Sequence, residues 1–309
     1  MKIAFLFAGQ GSQTIGMGKE LCENFPEAKK VFEDATNALG FDIEDMIFNG
    51  DSDTLMITEN TQPAILTMSI AALKVIETLG IKPDIVAGLS LGEYSAHVAA
   101  GSIVFDDAVR LVRKRGKFMQ EAVPVGVGTM AAILGLDPDT VYKVCKVASD
   151  KGIVEPANFN CPGQITVAGE VKAVEYACEI AKEYGAKRAM LLPVSAPFHC
   201  SMLKGAGEKL SAELENVSVS DLTVPLITNV TADYVKGIDE IKDLLVRQVS
   251  SSVLFEESIK RMLADGVNTF IEIGPGKTLS GFVKKVNKDV AIYHVEDMKS
   301  FEELKEAFM

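Results

Sequence analysis

The sequence predicts an α/β fold in which a mostly parallel sheet is covered by helices on both faces. Short, continuously apolar segments alternate with longer segments that have apolar residues at helical spacing. Residues 128–194 break this rhythm with the order βαββαβ, which is typical of a ferredoxin-like unit. The 309 residues suffice for a large core and a smaller one. We therefore expect a large domain formed by 1–127 and 195–309, and an inserted ferredoxin-like domain at 128–194.

The elements of the large domain are bounded by turn residues. Glycines end two of the helical patterns, at Gly80 and Gly101, and the segment Gly274-Pro275-Gly276-Lys277 closes a buried strand. We predict strands at 2–7, 85–87, 224–229 and 269–273, and helices at 24–39, 62–79, 93–100, 105–121, 202–214, 240–249, 256–264 and after 277.

The inserted domain is predicted from its own alternation of elements. A turn at Cys161-Pro162-Gly163 separates two strand-like runs and indicates a hairpin. We predict strands at 130–136, 153–158, 164–168 and 189–193, and helices at 138–149 and 171–184.

Composition excludes several classes of function. The formal net charge of -12 disfavours nucleic acid as a partner, and the five cysteines are odd in number and lack a C-x-x-C, so neither a disulfide framework nor a zinc site is expected. The first residues carry one positive charge and too short an apolar run for a signal peptide, and no run approaches a membrane span. We expect a cytoplasmic protein, monomeric, with no metal and no cofactor.

One motif joins a strand to a helix and carries the chemistry. Gly88-Leu89-Ser90-Leu91-Gly92 is a G-x-S-x-G, in which the glycines permit a sharp turn and the serine hydroxyl is exposed at a helix N-terminus. There the free N–H groups favour negative charge that develops on an attacked carbonyl oxygen. The motif predicts a nucleophilic Ser90 and makes the large domain α/β-hydrolase-like.

The first strand runs into a second glycine-containing loop, Gly9-Gln10-Gly11-Ser12-Gln13. It lacks the third glycine of a dinucleotide-binding loop, because Thr14 stands in that place. Two interpretations remain open: a loop that brings backbone N–H groups close to a ligand, and a plain strand-to-helix turn.

A nucleophilic serine needs a base, and the chain has three histidines. His97 lies seven residues beyond Ser90 on the same helix, on the order of 10 Å along its axis, and His294 lies in an apolar edge pattern. His199, in a loop after a strand, is therefore the predicted base. No acidic residue between Ser90 and His199 is placed to orient the imidazole, so we expect a Ser-His dyad in which a backbone carbonyl does so.

Six segments in order resemble the malonyl-CoA:acyl carrier protein transacylase family. They are Gly9 to Gln13, Gly88 to Ala96, Arg113-Lys114-Arg115-Gly116, Ser195 to His199, Gln248, and Glu272 to Lys277. One departure is Leu89, which stands where many relatives carry histidine; we interpret it as a tolerated variant.

The resemblance implies an acyl transfer in fatty-acid synthesis, from malonyl-CoA to the phosphopantetheine thiol of acyl carrier protein. It implies that Ser90 is acylated, His199 is its base and Gln248 supplies the orienting carbonyl. It further implies that the N–H groups of Gln10 and Leu91 form the oxyanion hole, and that Arg115 binds the malonyl carboxylate. Basic residues that could receive an acidic carrier protein are Lys187, Arg188, Lys284 and Lys285.

Two other functions share these residues. A serine thioesterase or esterase would have the same turn, but the missing acid and Arg115 disfavour it. A binding module with a relic site is the second, and the complete set of site residues argues against it.

Overall fold

The computed structural model describes residues 1–194 and 196–309. Within them the strands are β1 Ile3–Phe7, β2 Ile85–Gly88, β3 Gly128–Leu134, β4 Val154–Cys161, β5 Gln164–Glu170, β6 Arg188–Leu191, β7 Leu226–Ile227, β8 Thr269–Ile273 and β9 Ala291–Val295. The α-helices are α1 Lys19–Asn24, α2 Pro26–Leu39, α3 Ile43–Phe48, α4 Ser52–Met56, α5 Thr58–Glu77, α6 Gly92–Ala99, α7 Phe105–Glu121, α8 Pro138–Ala148, α9 Val171–Glu183, α10 Lys204–Leu214, α11 Ile238–Ser250, α12 Phe255–Ala264, α13 Thr278–Val286 and α14 Met298–Phe308. Short 3₁₀ turns lie at Ser149–Lys151 and Ser201–Leu203.

A five-stranded parallel sheet forms the centre of the protein, in the order β7-β2-β1-β8-β9. Its central strand β1 is buried along its whole length, and its side chains alternate between two hydrophobic clusters. Phe5 and Phe7 pack with α2, α5 and α7 on one face, whereas Ala4 and Leu6 pack with α12 and α13 on the other. Burial on both faces explains why these strands appear in the sequence as unbroken apolar runs.

A four-stranded antiparallel sheet lies in the segment 128–191, in the order β4-β5-β3-β6. Helices α8 and α9 pack on one face of it. On the other face, Met130, Ala157 and Ala168 cluster with Cys200 and contact Phe198, next to His199. The second sheet therefore supports the loop that carries the predicted base.

The mixed α/β class and the element order βαββαβ are confirmed. The domain boundaries stay a prediction. Ser195, the predicted first residue of the second segment of the large domain, lies outside the described residues.

The strand-to-helix turn at Ser90 is as tight as the motif predicts. Ser90 has φ 53°, in the left-handed region. A Cβ atom added at Gly88 would lie 2.0 Å from the carbonyl carbon of Gly92, and one added at Gly92 would lie 2.1 Å from the oxygen of Phe7. Glycine is therefore required on both sides of the serine.

Several predicted boundaries are wrong. The predicted helix at 24–39 begins at Pro26 instead, because Phe25, the residue before the proline, is pushed into an extended conformation and separates α2 from α1, which ends at Asn24. Helix α5 begins before its predicted start and continues through Pro63. Strand β7 is only two residues long, since Thr228 donates to Asp233 and leaves the sheet. No described helix is both long and apolar enough to cross a membrane.

Replacing Gly92 by alanine should destabilise the protein by about 2 kcal/mol or more, because the new methyl group would overlap the Phe7 carbonyl. Gly281→Ala is the matched control: it lies inside α13 with open space around it, and should be neutral or stabilising by about 0.5–1 kcal/mol. Urea unfolding followed by circular dichroism measures both. Equal midpoints for the two variants would contradict the tight turn.

Candidate active site

Ser90 and His199 meet at the carboxyl end of the parallel sheet. Ser90 follows β2, and His199 lies in the loop after β6, where it too has a positive φ of 63°. The Ser90 Oγ lies 2.6 Å from Nε2 of His199, although the residues are 109 positions apart. The predicted dyad is thus within hydrogen-bond distance.

The bond on the other side of the ring defines the tautomer. His199 Nδ1 lies 2.8 Å from the backbone oxygen of Gln248, and a carbonyl can only accept. Nδ1 therefore carries the proton, and Nε2 of the neutral ring accepts the Ser90 hydroxyl proton. Gln248 supplies this carbonyl from α11, near the helix end.

His199 is held in its neutral form. Burial, and to a smaller extent the charge of Arg115, lower the pKa of His199 to about 3, while the bond to the Gln248 carbonyl opposes the shift. An imidazole that is neutral across the physiological range has Nε2 free to accept a proton from Ser90.

Arg115 is a buried cation beside the nucleophile. Its side chain comes from α7 and the residue is 1% exposed. Nη1 donates to Gln62 Oε1 at 2.9 Å, and Nη2 donates to Gln248 Oε1 at 2.9 Å and to Ser90 Oγ at 3.2 Å. The guanidinium also lies over the Tyr94 ring, 5.1 Å from its centroid. No carboxylate within the described ranges forms a salt bridge with it.

Glu93, in the first turn of α6, is a buried acidic residue whose charge interacts with that of Arg115. Its carboxyl is fully buried, with Oε2 accepting from Asn229 N at 2.9 Å and from Gln248 Nε2 at 2.8 Å. Burial raises the pKa of Glu93 to about 7, although these two bonds and the charge of Arg115 oppose the shift. Gln248 Nε2 also donates to the Ser90 carbonyl at 2.9 Å.

Two backbone N–H groups were predicted to form an oxyanion hole beside the serine. Leu91 immediately precedes α6, and Gln10 follows β1, the strand next to β2. The loops are in close contact, because a Cβ at Gly9 would lie 2.6 Å from the oxygen of Leu89. Among the described residues, neither the Gln10 nor the Leu91 N–H donates to a turn, loop or side-chain acceptor. The Leu89 side chain packs on the cluster that contains Ala87.

The other two histidines lie elsewhere. His97 is buried, with Nδ1 2.7 Å from Ser102 Oγ, and His294 lies on the edge strand β9 beside Glu296. The described cysteines are free, and the same residues contain no cluster of three or more His, Cys, Asp or Glu side chains suited to a metal.

Three buried polar residues at the site were not predicted. Gln62, Glu93 and Asn229 lie on or beside α5, α6 and β7, and each is at most 1% exposed. Glu93 gave the best signal, since it is the one carboxylate in the stretch 93–100 directly after the motif. The arrangement as a whole can attack a carbonyl with Ser90 and hold an anionic group on Arg115.

The sequence model of the acyl transferase domain family matches residues 4–304. The chain is 54% identical over 302 residues to the malonyl CoA-acyl carrier protein transacylase of Bacillus subtilis, covering 97% of this chain and 95% of that protein. It is 47% identical over 286 residues to the Escherichia coli (strain K12) protein of the same name, covering 92% and 93%.

Solved structures give the same result. The crystal structure of a malonyl CoA-acyl carrier protein transacylase from Clostridium perfringens is 51% identical and superimposes with a TM-score of 0.97 over 99% of this chain and 97% of that one. A type II PKS acyl-carrier protein in complex with its malonyl-transacylase contains a chain that is 40% identical, with a TM-score of 0.97 over 99% of this chain and 100% of that one.

In a Glu93→Gln background, which removes the site carboxyl whose pKa is about 7, the rate at which a sulfonyl fluoride modifies Ser90 should be constant from pH 5 to 8, because a pKa of about 3 leaves His199 neutral over this whole range. The second-order rate constant, followed by intact mass, measures this, with Ser90→Ala as the unreactive control. A rate that falls towards acid with a midpoint near 6.5 would show that His199 titrates normally.

Proposed function

Because the chain belongs to the acyl transferase family and groups with its malonyl-CoA–acyl carrier protein transacylases, we propose that Ser90 and His199 transfer the malonyl group through a malonyl-serine intermediate. The overall activity is transfer of malonyl from malonyl-CoA to acyl carrier protein, which supplies fatty-acid synthesis. The observation that carries the assignment of residues is the 2.6 Å contact between Ser90 and His199, with Arg115 bonded to the same hydroxyl.

In the first step Ser90 attacks the thioester carbonyl of malonyl-CoA. The hydroxyl proton passes to Nε2 of His199, and the new bond forms between Oγ and the carbonyl carbon. The tetrahedral intermediate collapses, the C–S bond breaks, and His199 returns the proton to the CoA sulfur. In the second step the pantetheine thiol gives its proton to His199 and its sulfur attacks the ester carbonyl; the bond between that carbon and Oγ then breaks, and His199 returns the proton to Ser90 Oγ.

The negative charge on the tetrahedral oxygen needs donors. The N–H groups of Gln10 and Leu91 suit this role because Leu91 follows Ser90, the loop that carries Gln10 contacts Leu89, and neither N–H has a turn, loop or side-chain acceptor among the described residues. Leu91 also lies at the N-terminus of α6, where the helix dipole favours an anion.

Selection of malonyl belongs to Arg115. A carboxylate that leaves water needs a charged partner, and the planar guanidinium can bind it with two hydrogen bonds. Arg115 meets neutral amides in the free protein, so its charge remains available to the substrate. A hydrolase for neutral acyl groups would gain nothing from this buried cation, which disfavours the thioesterase or esterase.

We propose a docking surface for the carrier protein at one end of the antiparallel sheet. Gln164, Leu134 and Arg188 lie in one row across β5, β3 and β6, and Lys285 of α13 donates to the Gln164 side chain at 2.8 Å. Lys187 lies beside the same row, since its N–H donates to the Leu134 carbonyl. Lys187, Arg188, Lys284 and Lys285 are all exposed and form a basic cluster from distant segments.

The finer architecture belongs to the same proposal. The order β4-β5-β3-β6 is that of a ferredoxin-like sheet, and the strand–Ser90–helix turn favours an α/β-hydrolase-like large domain. We also propose a monomer that works in the cytoplasm, without nucleic acid or membrane as partner. Light scattering at working concentration would contradict the monomer if it gave twice the mass of the chain.

Intact mass after mixing the protein with malonyl-CoA tests the function. A malonyl adduct that disappears when carrier protein is added supports the transferase. Release of free malonate at the same rate without an acceptor would support a hydrolase, and no adduct with no turnover would support a binding module.

Ser90→Ala should abolish the malonyl adduct, and His199→Ala should slow acylation by several orders of magnitude, because the two side chains act as one unit. Rapid-quench mass spectrometry gives the acylation rate. His97→Ala, another buried histidine, is the control for loss of an imidazole as such and should acylate far faster than His199→Ala. If His199→Ala acylates at the parent rate, the dyad is wrong.

Arg115→Ala should lower malonyl transfer roughly 100-fold, or about 3 kcal/mol, while favouring acetyl-CoA relative to malonyl-CoA. Arg115→Lys should recover only part of the rate, because it keeps the charge and loses the two-pronged geometry. Arg110→Ala, an exposed arginine on the same helix, is the control and should behave as the parent. The kcat/KM ratio for the two thioesters decides: an unchanged preference in Arg115→Ala would place the carboxylate elsewhere.

Charge reversal at Lys187 and Arg188 should raise KM for carrier protein, and the parent rate with carrier protein should fall as salt rises. Transfer to a small neutral thiol should respond little to either change. Lys299→Glu on α14, with an 85% exposed side chain, is the matched control. Equal salt dependence for the two acceptors would count against the basic cluster.

A further inference from the structure

A buried asparagine holds the nucleophile turn from the side of β7. Asn229 is 1% exposed and lies two residues beyond the end of that strand. Its Oδ1 accepts from the Ser90 N–H at 2.6 Å, and its Nδ2 donates to the Gly88 carbonyl at 2.7 Å. One carboxamide thus binds the backbone on both sides of Leu89.

These two bonds continue the parallel sheet beyond its last backbone pair. Strands β7 and β2 pair at Leu226 and Ile227 and then separate. In a parallel pair, one residue donates its N–H to the carbonyl of residue i and accepts, through its own carbonyl, from the N–H of residue i+2 of the neighbouring strand. Gly88 and Ser90 stand in that relation, so the Asn229 side chain replaces the backbone N–H and C=O of one residue of the missing strand.

The turn is bound from its other side as well. The Leu89 N–H donates to the Phe7 carbonyl of β1 at 3.2 Å. Ser90 has φ 53°, a conformation that a non-glycine residue keeps only when its surroundings impose it. The hydrogen bonds from β1 and from Asn229 hold Ser90 in this conformation.

Asn229 is connected to the other half of the dyad through Glu93. Glu93 Oε2 accepts from the Asn229 backbone N–H and from the Gln248 side chain, and the Gln248 carbonyl accepts from His199. The Asn229 carbonyl in turn accepts from Leu254 N at 2.8 Å. One oxygen, Oε2 of Glu93, therefore fixes the position of Asn229, which holds Ser90, relative to Gln248, which holds His199.

We propose that Asn229 is a positioning residue for the Ser90 nucleophile, and that Glu93 keeps Asn229 and Gln248 in the relative position that brings Ser90 to His199. The inference rests on the proposed function and adds to it the residues that create the reactive geometry. Asn229 and Glu93 act through the backbone of Ser90 and through Gln248, and neither touches the transferred group.

Asn229→Ala should slow the acylation of Ser90 by malonyl-CoA about 10-fold to 100-fold, because a small displacement of a nucleophile costs this much. Malonyl-CoA binding, measured by calorimetry in the Ser90→Ala background with and without Asn229→Ala, should change by no more than about twofold. A loss in the acylation rate without a loss in binding separates positioning from damage to the binding site.

The pH dependence of acylation in Asn229→Asp distinguishes positioning of Ser90 from a general structural role of Asn229. When protonated, the new carboxyl group can donate to the Gly88 carbonyl and accept from Ser90 N–H, as the amide does. When ionised, it has no proton to donate, and its negative oxygen repels the oxygen of the Gly88 carbonyl. Its acylation rate relative to the parent should therefore rise as pH falls, whereas the Asn229→Ala ratio should stay constant.

Thr223→Val is the matched control, since it removes a comparable bond, from Thr223 Oγ1 to the Ala100 carbonyl at 2.9 Å, in the loop before β7. It should acylate as the parent does. The proposal is overturned if Asn229→Ala acylates within about threefold of the parent, or if Asn229→Asp shows no gain at low pH. A parent protein that forms no malonyl adduct refutes the proposed function itself, which distinguishes the two failures.

Discussion

The site depends on one constraint, the buried positive charge of Arg115. Among the described residues, no carboxylate is bonded to this guanidinium. Removing such a charge from water is costly, and Arg115 recovers part of the cost from the side-chain oxygens of Gln62 and Gln248 and from the Tyr94 ring. Neutral acceptors leave the positive charge uncancelled. The site therefore has an electrostatic preference for an anion before any substrate enters.

This cation explains why the base is oriented by a backbone carbonyl. A carboxylate in that position would add a negative charge beside a ring that Arg115 influences, and would oppose the cation that we propose as the partner of the malonyl carboxylate. The Gln248 carbonyl fixes the tautomer of His199 without adding charge, while the side chain of the same residue binds Arg115. Orientation of the base and presentation of the cation thus depend on one residue of α11.

Sequence reasoning found the parts of the site that have a local pattern. The buried strands appear as apolar runs, and the glycines around Ser90 predict a sharp turn. His199 is identified as the base because the other two histidines are excluded. Arg115 and Gln248 were reached only through family resemblance. A backbone carbonyl acts the same way whatever side chain it carries, so no residue pattern could point to Gln248.

Asn229 and Gln62 were missed because their partners are distant in the chain. Asn229 meets Ser90 across 139 positions, and nothing near Asn229 in sequence signals that its amide replaces a strand. The predicted strand at 224–229 was too long for the same reason: its last two residues leave the sheet, and Asn229 keeps contact with β2 through its side chain. The end of β7 is determined by pairing with residues distant in the chain, and a local sequence pattern carries no information about that pairing.

The central claim is that burial and the charge of Arg115 together keep His199 neutral in the free protein, and that the malonyl carboxylate removes the contribution of Arg115 when it pairs with the guanidinium. The most direct test is an NMR titration of the His199 ring in the free protein and in the malonyl-enzyme. We predict a proton on Nδ1 and no titration above about pH 5 in the free protein, where the pKa is about 3, and an upward shift of that pKa after malonylation. A free-protein titration near the ordinary histidine value, or an identical curve in the two states, would contradict the account.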